Sequence, residues 1–141
     1  MTRPGIAIRL DHTSDQFFPG DVLVCEYEID LTEEQHATAV ESSVLWTTTG
    51  KGEEDFGVHF FERRPKSMLN ARNLGQPHRI STVLPQSPLS YDGEIVQVRW
   101  SVRLRVFVAG EQFTSEYFFR VGNTQATTED SDGEDSQDGA E

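Results

Sequence analysis

The chain predicts an all-β protein, an antiparallel sandwich of about seven strands, and three observations carry that prediction. From Val96 to Val108 every second residue is apolar (Val96, Val98, Trp100, Val102, Leu104, Val106, Val108), interleaved with Gln97, Arg99, Ser101, Arg103, Arg105 and Phe107. Strict period-two alternation puts one set on each face of a sheet. An apolar face of that length needs a second sheet to cover it. Shorter alternating runs recur along the chain, divided by Gly- and Pro-containing breaks, which is an all-β pattern. Nothing in the chain reads as a crossover helix; Thr32 to His36 is long enough for one helical turn at most.

Taken in order, Ile6 to Leu10 alternates and reads as a first strand. Asp11 to Gln16 is a polar break, and Phe17-Phe18-Pro19-Gly20-Asp21 is a turn, since proline sets one backbone angle and glycine tolerates the next. Val22 to Leu31 is a second strand with Leu23, Cys25, Tyr27, Ile29 and Leu31 on one face and Glu26, Glu28 and Asp30 on a wet one. Val40 to Thr49 is a third, with Val40, Val44 and Trp46 in phase, ended by Gly50-Lys51-Gly52. Phe56 to Arg63 is a fourth, with Phe56, Val58 and Phe60 alternating against Gly57, His59 and Phe61. Arg64 to Pro77 is basic and irregular. Arg79 to Leu84 is a fifth strand, stopped by Pro85 and Pro88. The long sixth follows, then a hairpin turn at Ala109-Gly110-Glu111 and a seventh strand, Gln112 to Val121, with Phe113, Tyr117, Phe119 and Val121 on one face.

Composition narrows the function classes. The chain has 141 residues, enough for one domain with a real core. Its net charge is −12, unevenly spread: residues 123–141 hold seven acids and no base. Without them the remainder has 17 acidic against 12 basic residues, a body charge of −5. The division expected is a sandwich over 1–122 and a disordered acidic tail over 123–141. That tail either solubilises the molecule by self-repulsion or competes for a basic groove on the body. Nucleic acid is not an expected partner, because phosphate contacts need a concentrated positive surface. No run of about 18 apolar residues offers a membrane span. The N-terminus lacks the apolar stretch of a secretory signal and Cys25 has no cysteine to pair with, so a cytoplasmic location is expected.

Catalytic chemistry finds no foothold. His12, His36, His59 and His78 share no metal-ligand spacing, and one cysteine makes no zinc ribbon or finger. Gly50-Lys51-Gly52 is a turn rather than a phosphate loop. Neither Ser90 nor Ser115 has a histidine placed to activate it. Cys25 falls on the apolar face of its strand, as a structural thiol would. Glu53-Glu54-Asp55 are loop acids, and Trp46 and Trp100 belong to the core by phase. The chain is therefore expected not to be an enzyme and to need no cofactor or metal.

The positive signals are of the binding kind. Arg99, Arg103 and Arg105, with Gln97 and Ser101, line the outer face of the longest strand. They make either a solvated face paired with acids of a neighbour or a docking surface, since guanidinium binds carboxylate bidentately. Arg63, Arg64 and Lys66 form a second basic group, followed by Arg72 and Arg79. A free sheet edge is a third candidate, able to accept a peptide strand or a second copy. The expected assembly is a monomer or an edge-paired dimer.

Three segments together resemble a single arrestin-type domain. Phe18-Pro-Gly-Asp-Val-Leu-Val24 is similar to that family's early proline–glycine turn into a strand, without its usual later glycine. Val44-Leu-Trp-Thr-Thr-Thr-Gly-Lys-Gly52 is similar to the place where an apolar strand meets a Gly-rich turn. The strongest match is Val83-Leu-Pro-Gln-Ser-Pro-Leu-Ser-Tyr-Asp-Gly-Glu-Ile-Val-Gln-Val-Arg-Trp-Ser-Val-Arg-Leu-Arg105. It resembles the family's leucine–proline, Ser-Tyr, glycine and basic-strand pattern. The likeness spans roughly residues 5–122. It implies an immunoglobulin-like sandwich acting as a non-enzymatic interaction module, an adaptor or scaffold. Arrestins have two such domains in tandem; one alone resembles small prokaryotic relatives akin to sporulation-control proteins. The partner implied is another protein, held by Arg99, Arg103, Arg105, Arg63, Arg64 and Lys66. A reading of a different class is a sugar- or lipid-binding sandwich using Phe17, Phe18, Phe61, Phe107 and Phe118, which requires those rings to gather at one end.

Overall fold

Alternation of side chains governs the architecture. The computed structural model describes residues 3–50, 52 and 54–122; the acidic stretch 123–141, expected to be disordered, lies outside the described residues. Two sheets pack face to face. The smaller has the order β1-β3-β6, from β1 (Gly5–Leu10), β3 (Val22–Asp30) and β6 (His78–Val83). The larger has the order β2-β9-β8-β4-β5, from β2 (Gln16–Phe17), β4 (Ala37–Gly50), β5 (Asp55–Pro65), β8 (Val96–Val108) and β9 (Glu111–Val121). A short β7 (Tyr91–Asp92) also pairs with β8. Pairing is antiparallel except between β2 and β9.

The seven strands read from alternation are present. On β8, Trp100, Val102, Leu104, Val106 and Val108 are buried, and they share one core with Leu23, Cys25, Tyr27, Ile29 and Ile80 of the smaller sheet. Each such side chain contributes about 2 kcal/mol on burial, so the inner face of β8 alone supplies a stabilisation comparable to the net stability of a domain. The tight hairpin into β9 has Ala109 at φ 51° and Gly110 at φ 81°. Two successive left-handed residues twist a two-residue loop to suit the flanking strands.

Three expectations are corrected. Phe17 is not merely a turn residue: it pairs with Val121 in β2 and is fully buried, and the turn proper runs from Phe18 to Asp21, with the Asp21 N–H donating to the Phe18 carbonyl at 3.0 Å. Gly20 there has φ 89°, the left-handed position after Pro19. Arg64 and Pro65, read as part of the irregular segment, instead continue the strand of Arg63 to the end of β5, and only Lys66 enters a 3₁₀ turn, Lys66–Met68. The irregular segment then forms a one-turn helix α1 (Ala71–Leu74), whose N-terminus is closed by a reciprocal Asn70–Asn73 capping box and whose Leu74 is buried.

The third correction sets the surface. Phe60 pairs with Val44 but Val58 pairs with Leu45, leaving His59 as the extra residue of a β-bulge. The phase of β5 therefore flips in mid-strand. Phe56 and Val58, expected on one face with Phe60, lie with Phe61 on the outer face, while Phe60 turns inward. Their exposures of 64%, 51% and 55% follow from that flip. His59 uses its freedom to reach the smaller sheet, its Nε2 lying 2.7 Å from the Val83 carbonyl. On the inner face Gly57 lies opposite Trp46, whose indole occupies the space a Cβ would need, 2.5 Å away.

The proline-punctuated segment after β6 acts as a clasp. The Trp100 indole N–H donates to the Pro88 carbonyl at 2.8 Å, and the Ser90 hydroxyl accepts from the Val121 amide at 2.8 Å. A loop that would otherwise carry unsatisfied polar groups over the core is thereby tied to two central strands.

Candidate functional site

The outer face of the larger sheet is the surface on which the expected binding residues can be compared. Register lays it out in rows across β9, β8, β4 and β5. One row holds Phe118, Ser101, Leu45 and Val58; the next Glu116, Arg103, Ser43 and Phe61; the next Thr114, Arg105, Glu41 and Arg63. Arg99 lies beyond the first row, beside Thr47 and Phe56. The smaller sheet packs against the opposite face, so this one carries no layer of described residues.

The arginines divide by partner. Arg103 donates to Glu116 at 3.2 Å, and Ser101 donates to the same carboxylate at 2.9 Å. Arg63 is bound to Glu41 at 2.6 Å. Arg105 faces Glu41 in register but makes no ion pair among the described residues, and its Nε is buried without a partner. The Arg99 guanidinium lies 4.0 Å from the Phe118 ring centroid, a cation–π contact that leaves its N–H donors free of any carboxylate among the described residues. Four arginines thus face two glutamates, leaving positive charge on a surface whose protein carries −5 overall in residues 1–122.

Two of the expected contact residues lie elsewhere. Arg64 is buried on the inner face, where its Nη1 donates to the Tyr27 hydroxyl at 3.2 Å. It joins the sheets and is not presented to a partner. One position along an extended strand separates it from Arg63, and one position reverses the face. Lys66 is exposed but lines a separate cleft of about 300 Å³ with His36, Asn70 and Leu74. The aromatics required for a ligand pocket do not gather at one end. Phe17 is core, Phe18 is at the turn, and Phe61, Phe107 and Phe118 stand on three different strands.

Three of the four histidines are engaged locally, and the fourth, His36, lines the Lys66 cleft. His12 stacks on Phe17, His59 reaches Val83 and Thr82, and His78 pairs with Glu62 at 2.8 Å. Among the described residues no three metal-capable side chains converge, and no helix is long and apolar enough to cross a membrane.

Cys25 is fully buried in the core face of β3, and burial, aided by Glu26, pushes its thiol up to about 12. A thiolate is the reactive form, so this sulfur should resist alkylation at neutral pH until the protein unfolds. The same shift bears on stability. Below the ordinary thiol value of 9.0 both states hold the proton and nothing is lost. Between there and about 12 the unfolded chain releases a proton that the folded chain keeps, so stability falls as pH rises, by up to about 1.4 kcal/mol per unit. Tyr27, raised mainly by burial, adds a decline of the same sign. Urea midpoints at pH 8.5 and 10.5, taken for wild type and Cys25→Ala, check this: the variant should show the shallower drop.

No family model matches the chain, and no curated protein matches it. Its fold is similar to that in the crystal structure of Spo0M, a sporulation control protein from Bacillus subtilis. The TM-score is 0.61 at 12% identity, covering 88% of this chain and 51% of that one. The chain therefore spans about half the length of that protein, and at this identity the likeness is one of fold.

Proposed function

We propose that this protein is a non-enzymatic interaction module of the arrestin type, which docks an acidic segment of another protein on the outer face of its larger sheet. The observation that carries this reading is the state of Arg99 and Arg105. Both stand on the central strand β8, Arg99 stacked on Phe118 and Arg105 with its Nε buried and unpartnered, and neither is neutralised by an ion pair among the described residues. Guanidinium groups without a carboxylate partner are available for bidentate capture of an incoming acid, and the stacked Arg99 loses little freedom in making it. Arg103 and Arg63 would take part by exchanging their glutamates for the incoming acid, and Lys66 would contribute only to a partner large enough to reach its cleft. Support of a coarser kind comes from the fold shared with a regulatory protein, Spo0M, although fold does not fix function. The reading places the protein in the cytoplasm.

The test is a comparison of what is captured from native lysate by wild type and by a variant carrying Arg99→Glu, Arg103→Glu and Arg105→Glu. All three side chains lie on the outer face, so the variant should keep its fold, checked by circular dichroism. Proteins retained by wild type and lost from the variant are the expected result. The same set retained by both would show the arginines to be a solvated face and end the proposal.

A further inference from the structure

We infer that β5 is a self-association edge, along which two copies of this chain pair antiparallel about a two-fold axis. The larger sheet ends on β5, which has β4 on one side and no strand of the described residues on the other for eleven residues. Monomeric sandwiches blunt such an edge with charge or proline along its middle, or with a bulge that turns it away from a regular strand. Here the middle is apolar, with Phe56, Val58 and Phe61 exposed, while proline sits only at the far end, Pro65.

Charge favours a second copy over another partner. The strand is entered through Glu54 and Asp55 and left through Arg63. In an antiparallel pair the acidic entrance of each copy meets the basic exit of the other, whereas a parallel pair would set like charges together. The register that places Phe56 opposite Phe61 of the second copy sets Glu54 opposite its Arg63, and two-fold symmetry makes each contact twice. The same register sets Asp55 opposite Glu62, whose carboxylate is engaged by His78 of its own chain at 2.8 Å. Arg63 can serve both its own Glu41 and an incoming glutamate, because its side chain is 51% exposed and guanidinium carries five donors.

The bulge supplies an independent reason. Its phase flip between Val58 and Phe60 would put part of the apolar row on the wrong face of a regular partner strand. A second copy carries the same flip at the same level, so all the rings remain on one outer face. Pairing would join two five-strand paths into one ten-strand sheet and bring two arginine faces onto a common surface. The inference does not rest on what those faces bind.

Sedimentation equilibrium of the full chain from micromolar to near-millimolar concentration tests it, together with hydrogen exchange of the β5 amides. The expected result is a monomer–dimer equilibrium in which β5 gains protection with concentration. Phe56→Lys with Phe61→Lys, both exposed outer-face sites, should weaken dimerisation more than about tenfold with an unchanged melting temperature. Glu54→Lys and Arg63→Glu should each weaken self-pairing, and a mixture of the two variants should pair with each other, because the heterodimer alone restores both charge contacts. A monomer at every concentration would overturn the inference, as would a dimer indifferent to these substitutions. Protection of β5 seen only after another protein is added would assign the edge to a different partner and overturn it too.

Discussion

Trp100→Ala is expected to remove about 5 kcal/mol of stability, seen as a collapse of the urea midpoint. The side chain is fully buried at the centre of β8, packed near Phe119 and His59 at centroid distances of 6.1 and 6.2 Å. Deleting a buried indole costs its transfer energy and leaves a cavity that neighbours fill only in part, about 3–5 kcal/mol together. The substitution also orphans the Pro88 carbonyl, which the indole N–H now satisfies, for about a further 1 kcal/mol. Against a net stability of about 5–15 kcal/mol this is a large fraction. Trp100→Phe separates the two contributions: it keeps most of the apolar volume and loses the donor, so it should cost about half as much.

Arg64→Glu should be nearly as damaging, about 3–5 kcal/mol, while Arg63→Glu one position earlier should cost about 1 kcal/mol or less. Arg64 is 8% exposed and its guanidinium caps the Tyr27 hydroxyl between the sheets. Reversal buries an anion on the inner face that also carries Glu62, with no cation to compensate. Arg63 makes an ion pair on a half-exposed outer face, where such pairs contribute little. Thermal melts of the two variants side by side check the contrast. Equal, small effects would mean that Arg64 is not the inter-sheet contact described here.

That contrast shows what the sequence made legible and what it did not. The inner face of β8 could be read residue by residue from Trp100 to Val108, where burial enforces the alternation, whereas Val96, 40% exposed, and the half-buried Val98 continue the pattern past the core. Arg63 and Arg64 read alike because composition sees a basic run, whereas the strand extends through both and gives them opposite faces. The flip in β5 was hidden for a different reason. A bulge depends on how one strand meets another, and no residue type in Val58-His59-Phe60 announces it. β2 and β7 are two residues each, too short for any period to show. The arginine stripe was visible as a pattern, but which members are neutralised depends on Glu116 and Glu41 arriving from other strands. Only the cross-strand register separates Arg99 and Arg105 from their paired neighbours.

The most direct measurement of the central claim is a titration of a captured partner, or its acidic segment, against three forms of the protein. These are wild type, the triple arginine-to-glutamate variant, and the variant carrying Phe56→Lys with Phe61→Lys. Binding through the outer arginines predicts a loss of about a hundredfold or more for the first variant, on the scale of truncated buried charge pairs. It also predicts weakening with added salt, and an intrinsic affinity for the β5 variant no lower than wild type, since its two lysines add positive charge beside Arg99 and Arg103. Unchanged affinity in the arginine variant, with the loss falling on the β5 variant instead, would contradict the account.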